Sequence, residues 1–149
     1  MTLREKLEAD MKQAMRSRDS LRLLTIRGLR GAVRNQEIEV GETLDEDGIL
    51  RVICGLVKQR TDSIEQFEQG GRQDLVEKEG AEREVLESYL PAAPDPAEME
   101  RVVREVITEV GAESPRDMGR VMKPALERLG PAADGKLVSQ LARRLLAQD

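Results

Sequence analysis

Three prolines in six residues, Pro91-Ala92-Ala93-Pro94-Asp95-Pro96, limit the fold more than any other stretch. Proline has no backbone N–H for a helix bond and disfavours helix in the residue before it, so no helix crosses this run. The 149 residues are therefore predicted to divide into a domain over 1–90, a linker over 91–96 and a domain over 97–149. A linker of this composition is extended and stiff. One Phe, one Tyr and no Trp are too few aromatics for a sandwich or barrel. The predicted fold class is all-α: a four-helix domain, then a small three-helix bundle.

The helices can be placed from their start signals. Thr2 with Glu5 forms a capping-box pattern before Leu3, Leu7, Met11, Ala14 and Met15. Asp19 or Ser20 starts a second helix, running to about Val40, with Leu21, Leu24, Leu29, Ala32 and Val33 inward. Asp45 caps a third, with Ile49, Val52, Ile53, Leu56, Val57, Ile64 and Phe67 buried and Lys58, Gln59, Arg60 and Asp62 on the polar side. Gly70-Gly71 stops it. A fourth spans about Gln73 to Tyr89, and Glu77, Glu79, Glu82, Glu84 and Glu87 form an acidic outer face. Asp95 caps a fifth with Pro96 at its first position, and Gly111 ends it. Ser114-Pro115 starts a sixth, interrupted by Pro124. A turn from Gly130 through Pro131 leads to Asp134, which caps a seventh that buries Leu137, Val138, Leu141, Leu145 and Leu146.

The chain contains no His and one Cys. That removes Ser-His-Asp and Cys-His nucleophile activation, histidine zinc ligation and any intrachain disulfide. Cys54, inside Val52-Ile53-Cys54-Gly55-Leu56, reads as a small core residue. No cofactor or metal is implied. No apolar run reaches membrane-spanning length, and the N-terminus lacks a secretory apolar segment, so the expected compartment is the cytoplasm.

The net charge of −5 is unevenly spread. Residues 1–36 carry nine basic and four acidic side chains, residues 37–113 eight and twenty-one, residues 114–149 seven and four. Both ends are thus positive and suited to a polyanion. At the N-terminal end Arg27, Arg30 and Arg34 share one side of a helix. Such a stripe is either a solvated surface or a row of phosphate contacts. At the C-terminal end Arg116, Arg120, Lys123, Lys136, Arg143 and Arg144 are the candidate phosphate ligands, with Gly135 allowing close approach near a helix N-terminus. No aromatic lies near them, so recognition by shape rather than base stacking is expected.

The wording of the chain resembles the GatB/YqeY family. The likeness rests on Arg27 with Asn35-Gln36-Glu37-Ile38-Glu39, on Lys58-Gln59-Arg60 with Asp62-Ser63-Ile64, and on Gly71-Arg72 with Asp74-Leu75-Val76 and Glu79. It continues through Leu86-Glu87 with Tyr89-Leu90-Pro91, Asp117-Met118-Gly119-Arg120-Val121-Met122, and Ala133-Asp134-Gly135-Lys136-Leu137-Val138 with Gln140-Leu141. The resemblance implies a stand-alone all-helical protein. Its C-terminal part would be similar to the GatB tail of glutamyl-tRNA(Gln) amidotransferase, a tail that contacts tRNA. Ser139 and Pro124 depart from the family's usual wording. The family label, a carbon–nitrogen ligase with glutamine as amido-N donor, belongs to an enzyme whose catalytic domains have no counterpart here. The chain has no Cys-His pair and no phosphate-cradling glycine loop. Two readings of function follow: a non-catalytic tRNA-binding module, or an adaptor that docks on an aminoacyl-tRNA synthetase or amidotransferase assembly.

Overall fold

The computed structural model describes residues 1–130 and 132–147. Pro131, in the expected turn, and the last two residues of the expected C-terminal domain lie outside them. Among the described residues the fold is all-α, with seven α-helices, one 3-10 turn and no strand. The chain divides into two compact units, Met1–Leu90 and Pro91–Asp149.

In the first unit α1 spans Leu3–Ser17, α2 Ser20–Val40, α3 Glu46–Gln69 and α4 Gln73–Glu87. Local chemistry sets most ends. The Thr2 hydroxyl accepts from Glu5 N, Asp19 from Arg22 N and Asp45 from Gly48 N. The α3–α4 turn needs a left-handed residue, and Gly71 supplies it at φ +70°. The break between α1 and α2 uses Arg18 instead, at φ +58°, with no glycine to mark it in sequence. Leu3, Leu7, Leu29, Val33, Ile49, Ile53, Leu86 and Tyr89 form one buried cluster.

Several expected positions move. Leu24 is 66% exposed, whereas Ile26 is fully buried and Thr25 nearly so. The inward line of α2 is Ile26, Leu29, Val33, at steps of three and four; Leu24 lies about 200° round the helix from Ile26. Met15 is exposed, because it lies beside rather than on the Leu3–Leu7–Ala14 line. α4 ends at Glu87, two residues short of the expected Tyr89. Arg60 is not on an open polar face. Its guanidinium lies 3.3 Å from Glu79 and 3.2 Å from Glu82, which joins α3 to α4. Glu79 and Glu82 therefore leave the expected acidic outer face; their side chains keep only 17% and 14% of their exposure.

Tyr89, the single tyrosine, is buried just beyond α4. Its hydroxyl donates to Asp10 at 2.6 Å, Asp10 lies 3.5 Å from Arg22, and the Lys6 ammonium sits 5.5 Å from the ring centroid. Burial first, and then the hydrogen bond to Asp10, push the phenol well above its usual range. An unfolded phenol loses its proton near pH 10, where the folded one keeps it. The resulting stability is complete below about pH 10 and is lost as pH rises further. Urea midpoints at pH 8.5 and 11 are expected to fall more in the wild type than in Tyr89→Phe; equal falls would show that Tyr89 is not the titrating group.

In the second unit α5 spans Pro96–Val110, a 3-10 turn Pro115–Asp117, α6 Met118–Leu129 and α7 Gly135–Leu146. Asp95 accepts from Glu98 N with Pro96 at the first turn, Gly111 closes α5 at φ +69°, and Asp134 accepts from Lys136 N. The three helices pack pairwise on Met99, Val102, Val103, Val106, Val121, Ala125, Val138, Ala142, Leu145 and Leu146. The sixth helix does not begin as α-helix at Ser114. Residues 115–117 wind more tightly, with Asp117 accepting from Glu113 N at 2.9 Å. α6 then runs on through Pro124. Leu137, expected inside, is 48% exposed, and Ala142 takes a core position instead. The Ala142 side chain is small enough for close approach between helices.

Candidate nucleic-acid interface

In the first unit Arg27, Arg30 and Arg34 repeat at three and four residues along α2 and are all exposed. Together with Arg4 of α1 they line a groove of about 430 Å³. Its base is apolar: Leu7, Val33 and Ile49 retain 3%, 5% and 3% of their exposure. Glu8 and Glu37 also line it. Both carboxylates have partners. Glu37 lies 2.8 Å from Arg4 and accepts from Leu44 N at 2.8 Å, while Glu8 lies 3.6 Å from Lys12. The Leu44 N–H, and next the Arg4 guanidinium, hold the Glu37 carboxyl below its usual range. Arg30 donates to the Met11 sulfur at 3.0 Å. None of Arg27, Arg30 and Arg34 forms an ion pair with a described residue.

In the second unit the expected cations differ in availability. Arg116, Lys123, Lys136 and Arg143 are exposed and form no ion pair with a described residue. Arg120 is occupied: it donates to the Val110 carbonyl at 3.1 Å and lies 2.9 Å from Asp117. The Glu113 N–H, followed by Arg120, holds the Asp117 carboxyl below its usual range. Arg120 thus ties α6 to the end of α5. Arg144 sits 3.7 Å from Glu100, a carboxylate already held by Arg104 at 2.8 Å. Gly135 opens α7 without a left-handed backbone, and a Cβ there would meet nothing within 4 Å. The space beside it is open, but the backbone does not require glycine.

Two members of these charged sets escaped sequence reasoning. Arg4 stands 23 residues before Arg27, and only the packing of α1 on α2 brings it to the groove. Lys12, one turn beyond Glu8, is the nearer signal: the i,i+4 spacing marks Glu8 as already paired.

Among the described residues no helix is long and apolar enough to cross a membrane. Residues 4–146 match the family described as Yqey-like protein. A protein of Lachancea thermotolerans named "Altered inheritance of mitochondria protein 41, mitochondrial" is 40% identical over 112 residues, 73% of this chain and 60% of the relative. The Kluyveromyces lactis protein of that name is 38% identical over the same shares. One from Saccharomyces cerevisiae (strain YJM789) is 34% identical over 63% of this chain and 51% of the relative. The chain therefore spans 60% or less of the length of these curated relatives. With nearly its whole length matched in order, the chain belongs to the Yqey-like protein family.

Proposed function

We propose that the chain is a non-catalytic, tRNA-binding helical module related to the tail of the tRNA-dependent amidotransferase. One observation carries this reading: Arg116, Lys123, Lys136 and Arg143 stand exposed on the small second unit with no ion pair among the described residues. Cations that are free of carboxylates can displace counterions from RNA phosphates. Arg27, Arg30 and Arg34 form a second basic surface in the first unit.

The test is a tRNA gel shift with a salt series on the full chain. Lys123→Glu with Lys136→Glu is the informative pair, because Arg120 also holds α5 to α6 and its reversal would disturb packing. The double variant is expected to bind at least about tenfold more weakly at low salt, with a shallower dependence on salt by about one to two ions. Unchanged binding at low salt would overturn the reading. A specific surface favours the adaptor as the second reading. Exposed Leu137 joins Leu141, Met99 and Pro96 around a groove of about 540 Å³ in the second unit. An absent gel shift, together with capture of aminoacylation components that survives nuclease, would favour the adaptor.

A further inference from the structure

Leu24, Gly28, Gly31, Asn35 and Ile38 recur along α2 at steps of four and three and are all exposed. At about 100° per residue they fall on the side of the helix opposite Ile26, Leu29 and Val33, furthest from the core. The outermost line of a surface helix ordinarily carries charge. This one carries none, in a chain 36% charged. Its ends are instead large and apolar, Leu24 at 66% exposure and Ile38 at 73%. Between them lie two glycines. Glycine weakens a helix interior, yet a Cβ at Gly28 or Gly31 would meet nothing within 4 Å. The packing of a single chain gives these glycines no purpose. A second helix laid along the line does: it approaches closely over the glycines and covers Leu24 and Ile38.

Alternating steps of four and three make the seam of a left-handed helix pair. One edge of this seam carries Arg27 and Arg34, the other Glu39. None of the three forms an ion pair with a described residue. In a parallel pair a residue on the first edge meets the residue five positions further on in the other helix, so Arg34 faces Glu39 of the second copy. Two-fold symmetry makes that contact twice. Asn35 meets its own counterpart, a polar pair on the seam that favours two strands in register. In an antiparallel pair Arg27 would face Arg34, and like charges repel. We propose that this face of α2 binds a second copy of the chain as a parallel, two-fold helix pair. The seam is about 21 Å long from Leu24 to Ile38, short for a permanent interface, so the dimer is weak and exchanging.

Sedimentation equilibrium of the full chain tests this. Between about 5 and 500 µM it is expected to show a monomer–dimer equilibrium with a Kd on the order of 100 µM. Leu24→Lys with Ile38→Lys should weaken the dimer at least about tenfold. The melting temperature at the dilute end should stay at the wild-type value, since both side chains are exposed in the single chain. Charge reads the orientation. Arg34→Glu alone and Glu39→Arg alone should each weaken association by roughly threefold or more, and the two together should restore it, because the facing pair again has opposite signs. A chain that stays monomeric throughout overturns the proposal, as does a folded lysine double variant that associates like the wild type. A charge swap that fails to restore association overturns the parallel pairing. Dimerisation does not rest on RNA binding, so a missing tRNA gel shift would leave it standing.

Discussion

Ile53→Ala is expected to cost the first unit about 2–5 kcal/mol. Ile53 has no exposure and stands about two turns into α3, in the cluster that includes Leu29, Val33, Ile49 and Leu86. Alanine removes three buried carbons and leaves a cavity that helices on several sides cannot all close. Ile53→Val, which removes one, should cost about 0.5–1.5 kcal/mol. With a urea slope of about 1–3 kcal/mol/M, the alanine midpoint should fall by roughly 1 M or more while the slope holds. Leu24→Ala is the discriminating control. At 66% exposure it should change stability by no more than about 0.5 kcal/mol. A large loss at Leu24, or under about 1 kcal/mol at Ile53, would reject the packing described for these helices.

That pair of residues also marks the limit of what periodicity can say. Leu21 and Leu24 are spaced as neighbours on a helix, and nothing local distinguishes their side from that of Ile26. The inward side is decided by where other helices lie. The same limit misplaced Met15 and Leu137, each close to a helix end, where one extra apolar residue cannot be assigned to either side. Helix starts were far more legible, because a cap is complete within four residues: Thr2, Asp19, Asp45, Asp95 and Asp134 all accept the bonds their positions imply. The 3-10 turn at 115–117 was less so, since Ser-Pro starts either kind of winding.

The charged surfaces divide in the same way. The Arg27–Arg30–Arg34 stripe follows from spacing along one helix. The groove it borders needs α1 beside α2, which no spacing states. Availability was harder still. Arg120 and Lys123 look alike in sequence, yet Arg120 is bound by Asp117 and by a carbonyl ten residues away. Counting basic residues predicts the sign of a surface, but the carboxylates and carbonyls that reach each one decide how much of that charge remains for a partner.

Arg60→Met is the second large expected effect. Arg60 stands between Glu79 and Glu82 at 3.3 and 3.2 Å, with the three side chains 34%, 17% and 14% exposed. Arg60 Nε and Glu79 Oε2 are buried without a hydrogen bond to a described residue, so the attraction is between charges more than through aligned donors. Methionine fills much of the same volume but leaves two shielded carboxylates near one another without their shared cation. Removing one partner of a fully buried pair costs about 3–5 kcal/mol; the exposure remaining here screens the charges and lowers the expected loss to about 1–3 kcal/mol. Arg60→Met with Glu79→Gln and Glu82→Gln removes the uncompensated charge as well and should return to within about 1 kcal/mol of wild type at pH 7. If the triple variant is no more stable than the single one, the loss comes from the packing of the arginine stem, and the ion cluster is not what holds α3 to α4.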